Sequence, residues 1–297
     1  MTYPRDLVGY AGRPPDPRWP GGARIAVQFV LNLEEGGERS ILHGDPASEA
    51  FLAELDRAEP LAGRRHMSVE SIYEYGARAG AWRVLDVFRE RRLPLTIFAV
   101  ATAAERVPDV LARAVADGHE IACHGLRWID YQDVPAEVER AHIAEAVATL
   151  TRLTGRPPRG WYTGRTSPHT RRLVAEHGGF LYDADDYSDD LPFWSTLEPG
   201  HLVVPYALDT NDMRFASAYG FATAGQFAEY LVDAFDTLHA EGGRMLSIGL
   251  HGRIIGRPGR IRALTTFLDH IGAHPDVWVA RRADIAKHWR RTHPQDS

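Results

Sequence analysis

Short apolar runs of strand length, each followed by a stretch of helical period, recur along this chain from Arg24 almost to its end. That alternation constrains the fold more tightly than any single motif. The run Ile25-Ala26-Val27-Gln28-Phe29-Val30-Leu31 is nearly continuous in apolar residues, which suits a strand buried on both faces. Further strands are predicted over 95–100 and 119–124, and near 180–182, 202–206, 245–250 and 277–279. Between them, helices are predicted from a Ser68 cap through 92, stopped before Pro94, and over 103–117, ended by Gly118. Others follow over 136–153 and near 168–177, 223–240 and 260–272. Repeated strand-then-helix units imply a parallel sheet with right-handed crossovers, and about seven of them in one chain favour a closed or nearly closed (β/α) barrel over two domains. With no linker or internal repeat, one catalytic domain over 1–297 is predicted. Residues 1–23, with five prolines and a Gly21-Gly22 pair, read as an irregular arm. The long polar stretch 36–66 reads as a functional lid.

Composition narrows the function classes. A chain that is 44% hydrophobic and 25% charged can bury a large core, which rules out disorder as its main state. No run of ~18 apolar residues is present, so no membrane-spanning helix is expected. The first residues lack the basic-then-apolar pattern of a secretory signal, and the lone Cys123 forbids an intrachain disulfide, so a cytoplasmic setting is expected. The net charge of −6 argues against nucleic acid or an anionic membrane as the main partner.

In a barrel of parallel strands the chemistry lies at the carboxyl ends of the strands. Asking which polar residues follow each apolar run selects Asn32, Glu34 and Glu35, then His124, Asp183, Asp209, Asn211 and Asp212, and finally His251 and Arg253. This acid-rich ring containing histidines points to hydrolysis. Adjacent residues of an extended segment face opposite ways, so only one of Glu34 and Glu35 can aim into a pocket, and which one stays open here. A desolvated Glu or a strand-end His such as His251 can serve as general acid or base. Trp128, four residues after His124, offers an indole wall and no metal ligand. Arg253 can present its fork to a carbonyl or carboxylate, and Tyr162-Thr163-Gly164-Arg165 and Asp209-Thr210-Asn211-Asp212 supply donors and acceptors for ureido or imide edges. No phosphate loop, nucleophile elbow or cysteine cluster is present.

Several runs together resemble the polysaccharide deacetylase (NodB-homology) superfamily and, within it, allantoinases of the PuuE type. They are Asn32-Leu33-Glu34-Glu35-Gly36-Gly37-Glu38, residues 66–76, His124-Gly125-Leu126-Arg127-Trp128-Ile129-Asp130-Tyr131, Gly160-Trp161-Tyr162-Thr163-Gly164-Arg165, residues 208–213 and Ser247-Ile248-Gly249-Leu250-His251. The resemblance covers nearly the whole chain and implies a distorted (β/α) barrel. Metal-dependent members hold a divalent ion with an Asp-Asp pair and a His-x-x-x-His pair. Here Glu34-Glu35 stands at the Asp pair, His124 at the first His and Trp128 at the second, so the resemblance implies no metal and no cofactor. Cys123 and Gly252 stand where the family more often has Ser and Cys. The implied reaction is hydrolysis of the hydantoin amide of allantoin to allantoate, a step of purine catabolism, by a cytoplasmic homo-oligomer, a tetramer being one form. The implied roles are Glu35 or Glu34 as base, His251 as acid and His124 at the oxyanion. Arg165, Asp209, Asn211 and Arg253 would bind the ureide, and Trp128 would wall the ring. A cyclic imide hydrolase is the nearest rival; a sugar N-deacetylase or a non-catalytic ligand-binding barrel stands further off.

Overall fold

A computed structural model describes residues 5–295; the first four residues of the predicted arm lie outside it. The strands are β1 (Ile25–Leu33), β2 (Thr96–Ala99), β3 (Glu120–Cys123), β4 (Gly160–Trp161), β5 (Tyr182–Asp183), β6 (Phe193–Trp194), β7 (Leu202–Val203), β8 (Arg244–His251) and β9 (Val277–Val279). Around them lie α1 (Met67–Tyr75), α2 (Ala81–Arg91), α3 (Ala101–Arg106), α4 (Pro108–Ala116), α5 (Ala136–Thr154), α6 (Thr170–His177), α7 (Ala224–Glu241), α8 (Ile261–Gly272) and α9 (Arg282–Thr292). All the strands join one sheet in the order β6-β7-β5-β4-β3-β2-β1-β8, parallel except for β6 with β7. β9 pairs with the start of β1 on the edge whose far half is taken by β2. On the opposite side, Asn211 bridges to Gly249 of β8, so the segment after β7 curls round to the other edge. The result is a distorted (β/α) barrel, nearly closed.

The sheet separates two apolar layers by residue parity, as the period of two requires. Ile25, Val27, Phe29, Leu31 and Leu33 of β1 pack outward against the helices, where Phe29 meets Phe88 and Phe267 edge-on. Ala26 and Val30 face inward with Phe98, Ala122 and Met245. The polar side chains of the central strands share the inward parity. Gln28 and Ser247 meet Arg282, a fully buried guanidinium that also donates to the carbonyls of Val204 and Pro205 and fills the barrel below its mouth.

Several elements differ from the sequence-based expectation. The helix predicted from Ser68 starts at Met67 without a side-chain cap and is interrupted by a π turn over Gly76–Gly80 before α2. The helix predicted over 103–117 is split at Val107, because Pro108 starts a new helix and disfavours helical geometry in the residue before it. Short strands β4 and β6 and helix α9 add to the predicted set. The described part of the arm, residues 5–23, is irregular apart from one 3-10 turn, and its Trp19 is buried against Trp278 and Trp289. Among the described residues no helix is long and apolar enough to cross a membrane.

Candidate active site

The inward parity of β1 runs through Gln28, Val30 and Asn32 to Glu34, the first residue past the strand. Glu34 therefore points into the mouth of the barrel, and Glu35 points with Leu33 toward the helices. On β3 the same alternation turns Cys123 outward and His124 inward, and on β8 it turns His251 inward. The three meet. Glu34 Oε1 lies 3.3 Å from His124 Nε2 and 3.5 Å from His251 Nε2, with all three side chains buried. Asp212 completes the constellation from behind. Its Oδ1 accepts from His251 Nδ1 at 2.6 Å, and its Oδ2 accepts the backbone N–H groups of His251 and Ile255 at 2.7 and 2.9 Å. Since a carboxylate only accepts, Nδ1 carries a proton and Nε2 is the atom presented to Glu34. Asp212, expected among the donors and acceptors for a ureido or imide edge, instead stands behind His251 and off the cavity wall, a placement that depends on the sheet curling back to β8.

Glu35, expected as the first choice of base, does not line the cavity. Its Oε2 accepts the backbone N–H of Glu34, and its Oε1 reaches the π turn so closely that a Cβ on Gly76 would lie 1.9 Å away. Arg253, expected to bind substrate, is buried behind the two carboxylates. Its Nη2 is 2.7 Å from Glu34 Oε2 and its Nη1 is 3.6 Å from Glu35 Oε1, while its guanidinium covers the Tyr73 ring. These neighbours set the protonation states. Burial alone would push the Glu34 carboxyl up, but Arg253, His251 and the hydrogen bonds from both imidazoles hold it well below the usual carboxylate range. Burial and the charge of Glu34 push Glu35 upward instead. Burial would lower His251, yet the charges of Glu34 and Asp212 raise it to about 9. At neutral pH the pair nearest the cavity is thus a carboxylate and an imidazolium.

The cavity above them holds about 480 Å³, enough for a small planar ligand. Trp128 and Phe51 form part of its wall, and the Arg165 guanidinium sits 4.0 Å over the Trp128 ring and 4.6 Å over Phe51. Asn32 and Asn211 both line it and both donate to the Tyr206 hydroxyl, at 3.1 and 3.3 Å. Gly249 makes that packing feasible, because a Cβ there would lie 2.2 Å from Asn211 Nδ2. Loop 36–66 supplies Ser48, Glu49, Phe51 and Leu52 to the same wall. Asp209 is not brought in. It is exposed, accepts from Tyr230, and borders a separate cavity on the far side of Tyr206. Asp183 is buried against Arg171 and His201 and also stays out of the pocket.

A divalent ion fits this donor set poorly. Trp128 brings no lone pair, Glu35 is turned away, and the remaining Glu34 oxygens are engaged by Arg253 and two imidazoles. A further cation would stand beside a guanidinium and an imidazolium. Among the described residues, clusters of three ligand-type side chains close enough to share an ion occur only around His274, on the α7–α8 face.

The polysaccharide deacetylase family profile matches residues 64–179. A Schizosaccharomyces pombe protein assigned by name to the polysaccharide deacetylases is 42% identical, with 99% of each chain covered. Among solved structures, one named PuuE allantoinase is 60% identical over the whole of both chains, with a TM-score of 0.98. Another, from Pseudomonas aeruginosa PAO1 and named for a polysaccharide deacetylase, is 60% identical over 99% of this chain and all of the other, with a TM-score of 0.97. The chain belongs to the polysaccharide deacetylase family, and it is a hydrolase.

Proposed function

We propose that this protein hydrolyses the hydantoin-ring amide of allantoin to give allantoate, without a metal ion. The observation that carries the reading is the buried Glu34 carboxylate between His124 and the Asp212-backed His251, facing a cavity walled by Trp128. The likeness to a structure named allantoinase supports it.

In this reading, Glu34 takes a proton from a water molecule as its oxygen attacks the ring carbonyl. Because Glu34 binds protons weakly, that transfer is concerted with C–O bond formation. His124 stands on the same carboxylate oxygen and steadies the developing oxyanion. The imidazolium of His251 gives its Nε2 proton to the leaving nitrogen as the C–N bond breaks. The proton gained by Glu34 then passes to His251 Nε2, 3.5 Å away, and both groups regain their resting charges. Arg253 keeps Glu34 ionised and oriented between turnovers.

The test is allantoate release from racemic allantoin by purified, chelator-treated protein, with succinimide and an N-acetylated sugar oligomer run alongside. Turnover of allantoin that survives chelation is the expected result. Turnover of succinimide alone would replace this reading with an imide hydrolase. Deacetylation that returns only with added zinc would overturn the metal-free site.

A further inference from the structure

Two polar groups in the cavity wall are left unmade, and they lie side by side. Glu49, from loop 36–66, is buried. Its Oε1 accepts the backbone N–H groups of Ala50 and Phe51 at 2.9 and 2.8 Å, which fixes the carboxylate. Its Oε2 is buried with no hydrogen bond. The nearest cation is Arg165, whose Nη1 stands 3.7 Å from that oxygen, beyond hydrogen-bond reach. Arg165 Nη2 is likewise buried and unpartnered, and stacking on Trp128 and Phe51 holds the guanidinium in place. Buried acceptors and donors are nearly always paired, so a rigid pair left open inside a ligand cavity points to a ligand that closes both.

The chemistry that closes both is narrow. The ligand must offer N–H donors to a carboxylate and, beside them, a carbonyl oxygen to a guanidinium. A ureido group does so, with its carbonyl flanked by N–H bonds; the hydantoin ring has the same edge, but a ring held with its amide at Glu34 leaves this stretch of the same cavity wall to the arm. We infer that Glu49 and Arg165 form a ureido receptor that selects a hydantoin ring bearing a ureido arm over the bare ring. The inference rests on the allantoin reading above and adds to it a specificity element, Glu49, contributed by the long loop. A site built around such bonds rejects the analogue that lacks them, because its own buried groups then stay unpaired.

Glu49→Gln is the informative variant. The amide oxygen can still accept a backbone N–H of the loop, while its NH2 replaces the free acceptor with a donor. Arg165→Lys is the second variant, since no backbone turn depends on it. The readout is the ratio of kcat/KM for allantoin to that for hydantoin. It is paired with the ratio of their dissociation constants, measured by titration calorimetry in a Glu34→Gln background where turnover is blocked. Both ratios are expected to fall by about tenfold or more, the KM for allantoin carrying most of the kinetic change. Equal losses for the two rings, or unchanged ratios in both variants, would overturn the receptor. Failure of the wild type to hydrolyse either ring would defeat the allantoinase reading alone, and the binding ratio would still decide for or against the receptor.

Discussion

Replacing Asp212 with Asn isolates the contact that sets the charge of His251. Asp212 accepts from three N–H groups, two on the backbone and one on the imidazole. An asparagine keeps the shape but has one carbonyl oxygen. With that oxygen on the two backbone groups, its NH2 faces Nδ1, so a proton on Nδ1 loses its acceptor and the imidazolium is disfavoured. The size of the effect follows from the shift itself. Moving His251 from its ordinary 6.5 to about 9, against the opposing effect of burial, corresponds to about 3 kcal/mol in favour of the imidazolium. Glu34 and Asp212 are the two carboxylates responsible, so removing one forfeits on the order of half and moves the titration down by about one pH unit or more. Loss of the positioned acid should lower kcat/KM by roughly 10²–10⁴-fold. The assay is allantoate release across pH for wild type and variant. Wild-type kcat/KM should decline above about pH 9, where His251 loses its proton, and the variant's alkaline limb should lie well below that. A variant with the wild-type rate and an unmoved alkaline limb would refute the assignment of His251 as the acid charged by Asp212. Stability has a matching sign. The folded pKa is raised, so the stabilisation is complete below pH 6.5 and is lost as pH rises through about 9, which urea unfolding at the two ends of that window would register.

Three further variants test the buried carboxylates and their packing. Glu34→Gln should cost roughly 10²–10⁴-fold in kcat/KM, and it should lower stability by about 3–5 kcal/mol because Arg253 keeps only Glu35, at 3.6 Å. Glu35→Gln should lose less activity, and the opposite ranking in steady-state kinetics would show that the wrong carboxylate had been chosen as base. Gly76→Ala places a Cβ 1.9 Å from Glu35 Oε1 and 2.9 Å from the Arg253 backbone nitrogen, so urea denaturation should show a loss of about 1–3 kcal/mol. A fully wild-type midpoint would mean that the π turn yields more easily than its packing suggests.

The barrel was legible in the sequence where strands are long. β1 and β8 are buried over nearly their whole length, and their apolar runs stand out. β4 and β6, which the local pattern did not reveal, are two residues each; β4 meets β3 only at Cys123 to Trp161 and β6 meets only β7, so their existence depends on neighbours that a local pattern does not contain. Helix α9 was hidden for a different reason. Its buried Ala283, Ile285, Ala286 and Trp289 are interrupted by Arg282 and His288, which are themselves buried, so the stripe reads as polar. The break within the helix predicted from Ser68 reflects contact rather than propensity. Gly76 admits Glu35, and Gly80 admits the Gly252 carbonyl, which a Cβ would meet at 1.9 Å.

The identity of the pocket-facing carboxylate was readable after all, though not from the apolar residues. In a strand buried on both sides hydrophobicity does not alternate, but the few polar residues do. Gln28, Asn32 and Glu34 share one parity in β1, as Ser247 and His251 do in β8, and a (β/α) barrel can host such groups only in its interior or at its mouth. That rule selects Glu34 and leaves Glu35 for the helix side. Parity cannot reach Arg253 or Asp212, because both lie beyond regular strands, and the Asn211–Gly249 bridge brings Asp212 to His251. In the proposed reaction, their effect is nonetheless what lets the mouth of this barrel work without a Lewis acid. Two cations, Arg253 and His251, face two anions, Glu34 and Asp212, in a site with almost no solvent. Glu34 stays ionised and His251 stays protonated at the same pH, which a Glu and a His in water cannot both do in the alkaline range.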